Sequence, residues 1–354
     1  MDYKRILLIR TDRIGDVLLT TPAIEAVRER FPLAHIAMMV RPYAKDIVNG
    51  NPYIDEVIIY DKYREHKSFI KTFQFSGTLK KKNFDLAVIF HPTNRTHAIA
   101  YLAAIPRRIG YKYKFSGLLT DTVLYTKDQG LRHESDYVFD VLKPLGIINQ
   151  KNKKLFMPVK PESESSVNLI MFSAGIAEHD KIVIMHPGAS CDSKTWPAER
   201  FAQLADKLSD EFKAKIIITA GNEKRDMDCA KFMRDKMRAS AVFLAGKLTI
   251  SELASCIKKA VIFISNDSGP VHIACALGIP SIVIFGRAQK GLSPKRWGPI
   301  GEKDIVLHKD AGCAEKCLAH NCRKNFECLK AVSVDEVFKP ASEILLSQGE
   351  KHEN

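Results

Sequence analysis

Three loops of the chain carry residue types that could do chemistry together. The first, Arg10-Thr11-Asp12-Arg13-Ile14-Gly15-Asp16, follows the apolar run Ile6–Ile9. A dinucleotide-binding domain places its glycine fingerprint at this position, yet here a single glycine, Gly15, stands among two acids and two arginines. A nicotinamide cofactor held in the usual manner is not expected. Asp16 falls at a predicted helix start, where the dipole favours an ionised carboxylate. Two roles fit it equally: a general base, or a first-turn acid that only stabilises its helix.

The second loop runs His186-Pro187-Gly188-Ala189-Ser190-Cys191-Asp192-Ser193-Lys194-Thr195-Trp196-Pro197. Its backbone N–H groups and hydroxyls could orient a diphosphate while Lys194 neutralises leaving-group charge. The spacing is not that of a Walker A loop. The third loop, Asn266-Asp267-Ser268-Gly269-Pro270-Val271-His272, joins an apolar run (Val261–Ile264) to a small-residue helix (Val271–Leu277). Gly278 and Pro280 end that helix before the strand Ser281–Phe285. Asp267 or Ser268 can cap the helix, and Pro270 loses no hydrogen bond in its first turn. The remaining N–H groups, the dipole and His272 make an anion site. Glu223, in Gly221-Asn222-Glu223-Lys224, could accept a ribose hydroxyl or serve as a helix-start acid. Asp226-Met227-Asp228 resembles a metal motif, but inside a helix such side chains point apart.

The elements that must position these loops alternate strand and helix. Predicted strands cover Arg5–Ile9, Ile36–Val40, Val57–Tyr60 and Asp85–Phe90, with an edge-like one at Arg107–Gly110. Helices are predicted at Thr21–Phe31, Arg95–Ala103 and Glu134–Leu145. The polar stretch Pro158–Ala177 reads as a connection. A second alternation follows, with strands at Ile182–Met185, Lys215–Ala220 and Val242–Leu244, and helices at Ala198–Phe212, Asn222–Met237 and Ile250–Lys258. A last helix is predicted at Val334–Leu346, and the tail Gln348–Asn354 reads as disordered. The expected fold is α/β: two doubly wound parallel-sheet domains, 1–165 and 176–333, with a cleft between their strand C-terminal edges. The helix 334–347 could pack back on the first domain.

At 354 residues, two domains are the natural expectation. The formal net charge is +13, with 27 Lys/Arg against 18 Asp/Glu in residues 1–165. Such a surplus points to an anionic partner. The clusters Lys80-Lys81-Lys82, Arg107-Arg108 and Lys151/Lys153/Lys154 lack interleaved aromatics, so nucleic acid is not favoured. No apolar run is long enough for a membrane span and no signal peptide is evident, which predicts a cytoplasmic protein. Cys191, Cys229, Cys256 and Cys275 read as buried free thiols. Cys313, Cys317, Cys322 and Cys328 crowd near His308 and His320, but their spacing does not match paired zinc motifs, and reduced thiols are expected.

Taken together, Ile6–Arg10 through Ile14-Gly15-Asp16-Val17 to Pro22-Ala23-Ile24, His186-Pro187-Gly188-Ala189, Lys194-Thr195-Trp196-Pro197 and Asn266–His272 resemble family nine glycosyltransferases. This is the family of the ADP-heptose:lipopolysaccharide heptosyltransferases. The resemblance implies a GT-B fold of two Rossmann-like domains and an inverting transfer without metal or other cofactor. By the same resemblance Asp16 is the base and Lys194 contacts the sugar diphosphate. Asp267, Ser268, Gly269 and His272 form the diphosphate loop, and Glu223 binds ribose. Arg13, Gly15, Ser190 and Ser193 join the substrate-binding set. The implied partners are an ADP-heptose-type donor and a phosphorylated glycolipid acceptor, met peripherally at the cytoplasmic face of the inner membrane. The alternatives are a GT-B nucleotide-sugar epimerase or hydrolase, and a basic anion-binding protein without chemistry.

Overall fold

The computed structural model describes residues 2–148, 154–313 and 317–347. The chain divides after Pro158 into two compact units. In the first, β1 (Arg5–Ile9), β2 (His35–Val40), β3 (Glu56–Ile59), β4 (Leu86–Ile89), β5 (Arg107–Lys112) and β6 (Asp121–Leu124) make one parallel sheet. Its order is β3-β2-β1-β4-β5-β6. This is the doubly wound arrangement, in which strand order reverses between β1 and β4. Both central strands read as apolar runs because helices cover both faces of the sheet; Ile6–Ile9 and Leu86–Ile89 are fully buried.

Besides short helical turns, a strand and a long helix here have no counterpart in the sequence reading. β6 alternates half-buried and exposed residues at the sheet edge, so it lacks an apolar run, and it makes β5 an interior strand instead of the expected edge. The helix Phe69–Lys80 has an inverted pattern: Phe69, Ile70 and Phe73 are exposed while Thr72, Ser76 and Leu79 are buried. The helix expected over Glu134–Leu145 stops at Asp140, and a 3-10 turn through Pro144 follows it.

The second unit repeats the plan with β7 (Ile182–His186), β8 (Lys215–Ile218), β9 (Ala241–Phe243), β10 (Ile262–Asn266), β11 (Ser281–Phe285) and β12 (Ile305–His308). Its parallel sheet runs β12-β11-β10-β7-β8-β9, the same order counted from its own first strand. The polar stretch read as a connection folds instead as the helix Pro161–Ser173, which packs on the helix Ile250–Lys258. Its serines are there to bond: Ser163 Oγ lies 2.9 Å from Ser251 Oγ, and Ser166 Oγ donates to Glu252 at 2.8 Å. The helix Val334–Ser347 belongs to this unit, with Val337, Ala341 and Leu345 buried at helical spacing against the helix Ala198–Phe212. Gln348–Asn354, Lys151 and Lys153 lie outside the described residues. Among the described residues no helix is long and apolar enough to cross a membrane.

Candidate active site

Each unit brings its polar loops to the carboxyl end of its sheet at the point where strand order reverses, the place where such sheets bind ligands. In the first unit β1 runs into Arg10, whose side chain is 1% exposed. Its guanidinium donates to Asp12 at 2.8 Å, Asp16 at 2.6 Å and Glu134 at 3.2 Å. Glu134 also holds Lys127 at 2.6 Å. Three carboxylates therefore share two cations. Burial raises the Asp16 carboxyl to about 6, helped by the charges of Asp12 and Glu134 and opposed by Arg10. Asp16 lies in the short helix Ile14–Leu18, with Gly15 buried beside it and Arg13, at the helix N-cap, exposed. At the end of β4, His91 Nδ1 is 3.3 Å from Thr11 Oγ1. Burial, with Arg10 nearby, pushes His91 down to about 3, so it is neutral.

A cavity of about 350 Å³ opens beside Thr11, walled by Tyr60, Lys62, Thr93, Arg95 and Lys114. Among the described residues no carboxylate lines it.

In the second unit the loops after β7 and β10 are tied by Asn266, which is fully buried. Its Oδ1 accepts from the Trp196 N–H at 2.9 Å and its Nδ2 donates to the Pro187 carbonyl at 2.7 Å. The tether sets Lys194, whose Nζ is 2.9 Å from Asp267 Oδ2 and 3.2 Å from the Asp267 carbonyl. Arg287, just past β11, reaches the same Asp267 oxygen at 2.5 Å. Burial lowers Lys194 from its ordinary value; Asp267 opposes this and Arg287 adds to it. Asn266→Ala would orphan two buried backbone groups, at a cost of about 2–4 kcal/mol. The expected result is a lower urea midpoint.

The helix after β10, Gly269–Ala276, has Ser268 at its N-cap but no side-chain cap. The two expected caps are otherwise engaged. Asp267 holds the two cations, and Ser268 Oγ lies 2.9 Å from Ser265 Oγ. Pro270 brings no N–H to the first turn and the Val271 N–H donates to the Ser268 carbonyl at 3.3 Å, so the helix start offers an anion the Gly269 N–H and the dipole, with His272 buried one turn in.

Ser193 is buried and lies 3.1 Å from His320 Nδ1, while Ser190 is exposed on the same loop. Glu223 stands exposed as the N-cap of the helix Lys224–Lys236, beyond the end of β8. Asp226 packs so close to Gly188 and Gly221 that a Cβ on either would meet it within 2.9 Å, whereas Asp228 is exposed. The two acids do point apart.

All eight cysteines are free thiols, but only Cys256 among the four expected buried ones is fully buried. Cys313, Cys317, Cys322 and Cys328 line one cavity of about 460 Å³, which also reaches Ser193 and Arg287. Among the described residues no group of three or more His, Cys, Asp or Glu is placed to hold a metal ion. Gly286, next to Arg287, lets the loop after β11 lie against the Lys194 loop: a Cβ there would lie 2.5 Å from the Ser193 carbonyl.

Sequence reasoning missed Arg287, His320 and the Arg10–Glu134–Lys127 network. Arg10 alone left a signal, as an arginine directly after the apolar run Ile6–Ile9.

The sequence matches the family model of glycosyltransferase family 9 (heptosyltransferase) over residues 72–326. The chain belongs to that family and is a glycosyltransferase. The matched span holds the second unit's loops; Asp16 precedes it. Lipopolysaccharide heptosyltransferase 3 of Escherichia coli K12 is 26% identical over 345 residues, covering 94% of this chain and 95% of that protein. The crystal structure of a family 9 glycosyl transferase from Veillonella parvula DSM 2008 matches with a TM-score of 0.86 at 26% identity, over 98% of each chain. The structure of E. coli ADP-heptose lps heptosyltransferase II matches with a TM-score of 0.80 at 19% identity, over 98% of this chain and 99% of that one. The fold is GT-B.

Proposed function

We propose that this enzyme transfers a heptose, with inversion and without a metal, from an ADP-sugar to a phosphorylated lipopolysaccharide core acceptor. It would do so at the cytoplasmic face of the inner membrane. The observation that carries the mechanism is the Asp16 carboxyl, raised to about 6 and fixed by Arg10 at 2.6 Å. Such a group is ionised at neutral pH yet basic enough to take the proton of an attacking hydroxyl. The hydroxyl oxygen bonds to the anomeric carbon as the bond from that carbon to the diphosphate breaks. The departing oxygen gathers negative charge, which Lys194, His272 and the uncapped start of Gly269–Ala276 are suited to receive. Arg13, Gly15, Ser190, Ser193, Ser268 and Glu223 complete the substrate contacts in this reading. Heptose as the sugar is supported by the family and by the relatives named above.

The test is a panel of ADP-, UDP- and GDP-sugars read by thermal shift, since a ligand of the native state raises its melting temperature. A response confined to ADP-heptose, with an inverted anomeric product, is expected. A response to UDP- or GDP-sugars alone would overturn the donor.

The basic cavity beside Thr11 supports a phosphorylated acceptor. Replacing both Lys62 and Lys114 by Ala is expected to raise acceptor KM about tenfold. Donor KM should stay unchanged. An unchanged acceptor KM would remove this cavity from the acceptor path.

A further inference from the structure

Asp267 poses a problem of charge. A carboxylate next to Lys194 draws on the positive charge that an anionic leaving group needs, and inside a protein that pairing is strong. Alone, Lys194 and Asp267 would form a neutral pair. They are not alone: Arg287 Nη2 stands 2.5 Å from the carboxylate oxygen that Lys194 meets at 2.9 Å. Arg287 is 4% exposed, and its buried Nε has no hydrogen-bond partner. Arg287 also borders the cavity of about 460 Å³ that reaches Ser193, the residue before Lys194. Two cations on one buried carboxylate leave the cluster with one uncancelled positive charge.

We infer that Arg287 is a positioning residue of the leaving-group site: it balances Asp267, so that the Lys194 ammonium stays available to a diphosphate. The inference rests on the proposed transfer reaction, because it assigns Lys194 an anionic ligand. A purely structural ion pair would show the same distances, but it would respond differently to charge-restoring substitution.

The experiment titrates ADP against wild type, Arg287→Gln, Asp267→Asn and the double variant by calorimetry, with unliganded melting temperatures alongside. Arg287→Gln is expected to weaken ADP binding about tenfold, since the cluster falls to neutral. The double variant removes one charge of each sign and restores the surplus, so its affinity should return to within about threefold of wild type. Asp267→Asn alone should bind ADP at least as tightly as wild type.

Equal affinity of Arg287→Gln and wild type, or a double variant as weak as Arg287→Gln, would overturn the inference. Should Arg287→Gln fail to fold, the ranking of Asp267→Asn, wild type and the double variant decides it, because neither substituted protein then buries an unpaired carboxylate. Wild type that binds no ADP would instead sink the proposed donor, and this inference with it.

Discussion

Asp16→Asn is expected to lower sugar transfer about a thousandfold while leaving ADP binding intact. The amide cannot accept the acceptor's proton, and transfer then depends on water. The fold should survive, because Arg10 keeps Asp12 and Glu134 as partners and the amide fills the same space. Nucleotide affinity should not move, since Lys194, Asp267 and the Gly269–Ala276 helix all belong to the other unit. The wild-type rate adds a second mark. With the Asp16 carboxyl raised to about 6, its base form is lost as pH falls through that value. The kcat profile should therefore drop on the acid side near pH 6, one proton per turnover-competent site. A variant that keeps more than a tenth of wild-type transfer, or a profile flat down to pH 5, would rule Asp16 out as the base.

Lys194→Ala should cost on the order of a hundredfold to a thousandfold in kcat, the usual price of one donor to a developing oxyanion. It should also weaken ADP binding, because Asp267 and Arg287 alone make a neutral pair. Both effects are read from initial rates at saturating acceptor and from calorimetry with ADP. Arg at this position should recover part of the binding and less of the rate, as a longer, planar cation cannot reproduce the ammonium's placement between the Asp267 carboxylate and carbonyl. A kcat within fivefold of wild type for the alanine variant would show that leaving-group charge is met elsewhere.

Much of the fold was legible because parallel sheets covered on both faces announce their central strands. β1, β4, β7, β10 and β11 are apolar runs, and the three loops named from sequence lie at the ends of β1, β7 and β10. Edge elements were not legible. Asp121–Leu124 buries no full face, the buried stripe of Phe69–Lys80 is mostly polar (Thr72, Ser76, Leu79), and Pro161–Ser173 hides its helix behind serines that bond across to another helix.

The site divides in the same way. Asp16, Lys194 and Asp267 could be named as candidates because they sit a few residues beyond strong strands. Arg287 was not, because its partner Asp267 is 20 residues away and only the adjacency of β10 and β11 brings them together. His320 and Glu134 escaped for the same reason: their contacts with Ser193 and Arg10 span 127 and 124 residues.

Both sheets follow one strand order, and both place an ion cluster just past the strand from which that order reverses. The clusters are imbalanced in opposite senses. Arg10 and Lys127 face Asp12, Asp16 and Glu134, one acid too many, whereas Lys194 and Arg287 face Asp267, one base too many. Topology therefore does not decide which half carries the surplus acid and which the surplus base. A handful of side chains on a shared blueprint sets the sign of each cluster.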